Sequence, residues 1–240
     1  MVSVARLELN GPGSPAETQK PAKSAASQSW LVIVMAVQVE PRAEHVSGWP
    51  SPAKWRLMTE LLGTGRVMAD SFRARGARVF ISDVDTTALT ACGHDGILAD
   101  AADAGAMAGF VDTAVARLGG LDVLVNNAGI AGPPARVEDI APEELDATLR
   151  INLAAMFHCA CGAVPALREA GVGSIVNLSS AARRFGFARR SPYAAAKWGV
   201  IGFTKSLAIE LGPDAIRVNA ILPGLVEGPR VRSVIAEKAQ

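Results

Sequence analysis

Charge of one sign is what this chain most plainly lacks: 24 lysines and arginines stand against 23 aspartates and glutamates, a formal net charge of +1. A near-neutral chain has no electrostatic footprint for nucleic acid or a membrane surface, so neither is expected as a partner. Cysteine is scarce as well. Cys92, Cys159 and Cys161 have no metal-ligand spacing, and the last two diverge on a helix, where only residues three or four apart share a face. His45, His94 and His158 are scattered. No metal is expected, and unpaired thiols suit a reducing cytoplasm. Residues 11–29 contain no aliphatic side chain larger than alanine and are crowded with Pro, Gly and Ser. Such a segment cannot bury enough surface to offset its ordering entropy and is expected to be a disordered tail. The apolar run WLVIVMAVQV (30–39) is too short to span a bilayer, which takes about 20 residues. Lys20 and Lys23 precede it and Ala36 could end a cleavage site, but the basic region starts far from Met1. The run is therefore read as an apolar segment packed on the domain rather than as a signal peptide.

What is present is concentrated in SSAARRFGFARRSPYAAAK, residues 179–197. Tyr193, the only tyrosine, stands four residues before Lys197, so on a helix the two share a face one turn apart. A free phenol, with a pKa near ~10, exchanges protons poorly at neutral pH. A nearby ammonium stabilises the phenolate and makes the group a usable general acid or base. SIVNLS (174–179) reads as a buried strand leading to Ser180, and sites in open parallel sheets form just beyond the carboxyl ends of strands. Ser191 and Pro192 are read as the N-cap and first position of the helix carrying Tyr193.

Strand and helix patterns alternate from Gly65 onward. RVMADSFRARG (66–76) reads as a helix closed by Gly76, ARVFIS (77–82) as the second strand, ILAD (97–100) as the third and LDVLVN (121–126) as the fourth. A long helix is expected over 142–171, ended by Gly171, and another over 192–211; IRVNAIL (216–222) reads as the sixth strand. Asp83 ends the second strand, with Asp85 as its rival for any role there. At 240 residues, one α/β domain is the natural reading.

Ser180, Tyr193 and Lys197, together with NNAG (126–129), INL (151–153) and RVNAILPG (217–224), closely resemble the short-chain dehydrogenase/reductase family, from about Gly63 to Arg230. The YAAAK block and its continuation are similar to the 3-oxoacyl carrier-protein reductase and small-alcohol or sugar dehydrogenase branches. The resemblance implies a Rossmann-type doubly wound parallel sheet with helices on both faces. It implies a catalytic set of Asn152, Ser180, Tyr193 and Lys197. Lys197 also holds the nicotinamide ribose, Ser180 meets the substrate oxygen, and Asn152 holds a water that links Lys197 to solvent. Cofactor contacts are implied for Gly63, Thr64, Gly65, Asp83, Asp100, Asn127, Ala128, Gly129, Tyr193, Lys197, Pro223, Gly224 and Val226, with Asn126 structural. An acidic residue at position 83 accepts hydrogen bonds from the adenosine ribose and repels a 2′-phosphate, which favours NAD over NADP.

The chain also departs from the family pattern. A phosphate loop of the form TGxxxGxG should follow a first strand, but KWRLMTELLGTGR puts Thr59 in the first glycine slot with Met58 in the threonine slot, or makes Thr59 the motif threonine with one residue missing, and either way puts Arg56 in the strand. Residues before about Gly63 are therefore read as out of register with the family's usual start. The expected organisation is an irregular or disordered N-terminal extension over 1–50 and a single dinucleotide-binding catalytic domain over 51–240, its first strand irregular. Gly228 replaces a threonine that would bind the carboxamide, and sixteen residues follow Gly224, so the last strand and the substrate-covering segment are expected to be missing. The two arginine pairs, Arg183 with Arg184 and Arg189 with Arg190, either flank the substrate mouth and favour an anionic alcohol or ketone, or form a solvated basic loop. A homodimer or homotetramer is implied. The other functional reading is a noncatalytic family remnant with weak cofactor binding, acting as a binding or oligomerising partner.

Overall fold

The computed structural model of the chain describes residues 30–34, 64–74, 77–182 and 186–224. Six strands among them form one parallel sheet: β1 (Trp30–Val34), β2 (Arg78–Asp83), β3 (Asp95–Leu98), β4 (Val123–Asn126), β5 (Gly173–Leu178) and β6 (Ile216–Ile221). Their order is β3-β2-β1-β4-β5-β6. The helices are α1 (Thr64–Arg73), α2 (Thr86–Cys92), α3 (Ala104–Leu118), α4 (Pro142–Leu149), α5 (Ala155–Ala170) and α6 (Ser191–Leu211). This is the expected doubly wound fold. A parallel strand needs a crossover to the next, and helices on both faces bury β2, β4 and β5, which is why these strands read as nearly unbroken apolar runs.

Alternation along the strands sorts the core into two layers. Phe80, Leu124 and Ile175 point to one face and pack with Phe110, Met107, Leu167 and Leu211 from α3, α5 and α6. The rings of Phe80 and Phe110 stack with centroids 5.8 Å apart. Val79, Ile81, Val125 and Leu178 point to the other face and meet Ala69 of α1. Each fully buried large side chain contributes about 1.5–3 kcal/mol, so the layers hold the strand ends in fixed register.

Several expectations need correction. The run 30–39 is not an appendage: Trp30–Val34 is the central strand, with Leu31 in register with Val79 and Val123, and Val32 with Phe80 and Leu124. A central strand needs unbroken hydrogen bonding on both edges and favours β-branched and aromatic residues, which WLVIV supplies and KWRLM does not. The first strand is therefore regular, and the boundary at residue 50 cuts off a strand of the sheet. Residues 1–29, 35–63 and 225–240 lie outside the described residues, and with them the expected disordered tail, Gly63 and Val226; so does Gly76, the expected end of the first helix.

The helix expected over 142–171 is divided. A π-helical turn, Arg150–Ala154, separates α4 from α5. Gly171 does end α5, in the left-handed conformation with φ +74 that favours glycine. Ser191 is the first residue of α6 rather than its cap. Arg190 takes the cap position and makes no side-chain capping bond. The third strand lies earlier than ILAD, so Asp100 falls in the turn after β3.

Candidate active site

The carboxyl ends of β4 and β5 and the first turns of α6 meet at one place. Lys197 is only 4% exposed, a burial that a lysine sustains when its ammonium is well bonded. Its Nζ donates to the carbonyl of Leu178 at 2.8 Å and lies 5.8 Å from the centroid of the Tyr193 ring. Tyr193 is half-buried, its ring in a T-shaped contact with that of Phe187, centroids 6.3 Å apart. Ser179 donates to the carbonyl of Lys197 at 2.8 Å, which docks this turn of α6 onto the end of β5. Ser180 follows directly, half-buried, its Oγ accepting from the Ala182 N–H at 3.2 Å.

Asn152 approaches from the opposite side. It sits in the π-helical turn, a local widening that often marks functional positions because it re-aims one side chain out of the helical register. Its amide nitrogen donates to the carbonyls of Thr148 at 2.9 Å and Ile130 at 3.0 Å. Its Oδ1 is fully buried with no hydrogen-bond partner among the described residues, and a buried acceptor in that state is costly unless something fills the place. A β-carbon added to Gly129 would stand 2.7 Å from Asn152 Oδ1 and 3.4 Å from Lys197 Nζ. The amide oxygen, the ammonium and the bare backbone of Gly129 thus surround one small space. Behind it, Asn126 donates to Asn177 at 2.8 Å and Asn177 to Thr204 at 3.0 Å, a buried amide chain that ties β4 to β5 and α6.

The strand order reverses between β1 and β4, the switch point where open α/β sheets leave a crevice for ligands. Thr64 and Gly65 open α1 on the β1 side. Asp83 ends β2, buried, its Oδ1 accepting from the Asp85 N–H at 3.0 Å. Asp85 caps α2, its side chain accepting from Thr87 and Ala88. Asp100 Oδ1 accepts from the Ala102 N–H at 2.8 Å in its turn. Asn127 and Gly129 are half-buried and Ala128 is buried beyond β4. Pro223 accepts at its carbonyl from Ala181 at 3.0 Å, and Gly224 is exposed beyond β6.

Residues 61–240 match the family model described as "Enoyl-(Acyl carrier protein) reductase". The chain belongs to the short-chain dehydrogenase/reductase family. Among curated relatives of this dehydrogenase/reductase, trans-4-hydroxycyclohexanecarboxylate dehydrogenase of Sinomonas cyclohexanicum is 42% identical over 182 residues, 70% of each chain. D-beta-hydroxybutyrate dehydrogenase of Cupriavidus necator is 36% identical over 187 residues, 74% of this chain and 72% of the relative. Among solved structures, a single-residue variant of actinorhodin polyketide ketoreductase with NADPH is similar at a TM-score of 0.71 and 33% identity, covering 74% of this chain and 72% of that one. The protein is therefore an oxidoreductase of the short-chain type, of the class that acts on CH–OH groups.

Of the four arginines read either as flanking a substrate mouth or as a solvated basic loop, only Arg189 and Arg190 lie among the described residues. Arg190 is buried, donating to the carbonyls of Ala131 and Gly132, whereas Arg189 is exposed, with φ 59; Arg183 and Arg184 lie outside the described residues. Sequence reasoning missed Ser179 and Thr148, and it named Arg190 only as one of four loop arginines. No local signal distinguishes Arg190 from its neighbour, since only the arrival of the 131–132 loop decides which of the two is buried. Among the described residues no three His, Cys, Asp or Glu side chains cluster as metal ligands. Burial pushes the Cys159 thiol up to about 12, with Cys161 adding to the shift.

Proposed function

We propose that this dehydrogenase/reductase moves a hydride between NAD and the carbon of a secondary alcohol or ketone, with Tyr193 as the acid–base group. The observation that carries this reading is the convergence of Asn152 Oδ1 and Lys197 Nζ on Gly129, one helical turn from the phenol. The same observation supports a nicotinamide cofactor, because an unpartnered buried acceptor beside a backbone without a side chain is a place built to be filled. NAD would lie over Thr64, Gly65, Asn127, Ala128 and Gly129, with Asp83 toward the adenosine ribose, Asp100 toward the adenine, and Pro223 and Gly224 along the nicotinamide. Bound there, it supplies the hydride acceptor or donor. In oxidation Tyr193 takes the hydroxyl proton, and in reduction it returns one. Lys197 holds a positive charge beside the phenol and toward the ribose. Ser180 hydrogen-bonds the substrate oxygen as charge develops on it. Asn152 offers its Oδ1 to a water that relays the proton from Lys197.

Asp83 supports a preference for NAD. NADPH in the ketoreductase neighbour makes NADP the necessary comparison. Small hydroxy acids are the substrates of choice, because exposed Arg189 lies in the loop leading to Tyr193 and two of the curated relatives are dehydrogenases of hydroxy carboxylates. Cys92, Cys159 and Cys161 are free thiols, which suits a cytoplasmic enzyme, and the apolar outer surface of α4 and α5 suits a homodimer or homotetramer.

Calorimetry with NAD and NADP on the full chain, followed by oxidation of 4-hydroxycyclohexanecarboxylate and 3-hydroxybutyrate, tests the proposal. NAD should bind at least about tenfold more tightly than NADP, and Tyr193→Phe should lower kcat by at least about 100-fold with NAD binding kept. One observation favours the noncatalytic reading: the family match begins at residue 61, so the first glycine slot of the phosphate loop lies outside it. A folded chain that binds neither nucleotide would establish that reading instead.

A further inference from the structure

A buried guanidinium is costly to desolvate, and it persists where its donors meet well-placed acceptors. Arg190 is 5% exposed and stands at the N-terminal boundary of α6, where its backbone carbonyl accepts from Ala194. Its side chain leaves the helix. Nη1 donates to the carbonyls of Ala131 at 3.2 Å and Gly132 at 3.0 Å, in the loop that follows Gly129. The preceding carbonyl, that of Ile130, accepts from Asn152. Three consecutive carbonyls of one loop are therefore held by two side chains, Asn152 from the π-helical turn and Arg190 from α6. Gly132 has φ +68, and a β-carbon there would stand 3.0 Å from Thr148 Oγ1, so the loop is pressed against α4 as well. The guanidinium also lies 5.9 Å from the centroid of the Phe187 ring, which meets the Tyr193 ring in a T-shaped contact.

We propose that Arg190 is a positioning residue: it clasps the Ala131–Gly132 loop to the start of α6 and thereby fixes the Tyr193 phenol relative to Gly129, Asn152 and Lys197. The proposal rests on the acid–base reading of Tyr193 for its kinetic consequence, but the clasp itself does not. Charge-assisted bonds to two carbonyls span elements far apart in sequence, so losing them frees the loop and the helix start together. The adenosine half of the cofactor site, around Asp83 and α1, stands on the other side of the switch point and should be left unchanged.

The test uses the full chain with Arg190→Met and Arg190→Lys, comparing kcat, KM for NAD, NAD affinity by calorimetry, and amide hydrogen exchange. For Arg190→Met, kcat falls by about tenfold or more, because a displacement of about 1 Å at a reacting group is enough, while KM and Kd for NAD stay within about twofold. Exchange at 130–132 and 193–195 quickens by about tenfold, with β4 and β5 unchanged. Arg190→Lys, which keeps the charge and a donor, recovers part of both effects. Unchanged kcat with unchanged exchange overturns the proposal, and so does exchange that quickens equally in all strands, which would make Arg190 a general stabiliser. If Arg190→Met does not fold, the same comparison on Arg190→Lys decides, with partial loss confined to the two segments expected. Tyr193→Phe separates the two readings: if it keeps full turnover the acid–base role fails, while the exchange pattern still decides the clasp.

Discussion

Gly129 illustrates how one residue type can be required by its neighbours' chemistry. Its missing side chain leaves room between Asn152 Oδ1 and Lys197 Nζ, and a methyl group there would stand 2.7 Å from the first. Gly129→Ala should lower kcat/KM by about tenfold or more, about 1.4 kcal/mol of transition-state stabilisation, with the loss of melting temperature limited to a few degrees. Steady-state kinetics beside a thermal melt check this, and unimpaired turnover would mean that the space has no part in the reaction. The cysteines differ for a related reason, burial. Cys161 is exposed and Cys159 buried, its thiol pushed up to about 12 chiefly by desolvation. A thiol in the unfolded chain ionises near its ordinary value of about 8.5. Between that value and about 12 the unfolded chain binds fewer protons than the folded one, so stability falls as pH rises through this window. Urea midpoints measured from about pH 8 to about pH 11 should decline less steeply for Cys159→Ala than for the wild type.

At the scale of elements, the π-helical turn between α4 and α5 is the feature with the most consequence. It turns Asn152 inward, and on the outer side it opens a groove of about 390 Å³ lined by Leu149, Leu153, Ala154 and Phe157, with Asp146, Arg150 and His158 completing it. Phe157 is 45% exposed although its ring lies 3.9 Å from that of Phe203, and Trp198 and Ile209 leave further apolar surface on α6. Contiguous exposed apolar surface rimmed by polar residues is one form an interaction site takes. If the homo-oligomer proposed above forms through this face, Phe157→Arg should give a smaller species in light scattering than the wild type, and an unchanged mass would overturn this face as the interface. The stretch Pro142–Ala170 is apolar enough to cross a membrane by composition, at mean hydropathy 1.3, yet its division and its packing on α3 and the π-helical turn on α6 make it part of the core.

At the scale of the molecule, β1 joins the two halves of the sheet, since β2 and β4 both pair with it. Residues 35–63 then separate it from α1, where the family pattern leads one to look for a short glycine loop. Val32 is in register with partners on both sides, so Val32→Pro removes a ladder donor from a central strand, where proline is essentially not found. The expected outcome is global destabilisation by about 3 kcal/mol or more in urea titration, with loss of NAD binding. A variant as stable as the wild type would exclude 30–34 from the sheet.

The sequence by itself determined the family, the alternation of strands and helices from Gly65 onward, and the residues around Tyr193, because each depends on spacing within a few turns of chain. Tyr193 and Lys197 share a face wherever their helix lies, and Gly171 ends its helix through a local backbone preference. Only the tertiary structure decided that WLVIV is the central strand, because that place is set by its pairing with β2 and β4, neither of which is nearby in sequence. It also decided that Asp85 rather than Asp83 caps α2, that the helix after Pro142 widens at Asn152, and that Arg190 turns inward while Arg189 faces solvent. Each of those outcomes depends on a partner that folding brings from elsewhere in the chain or on a local contest that packing resolves, and residue spacing carries no record of either.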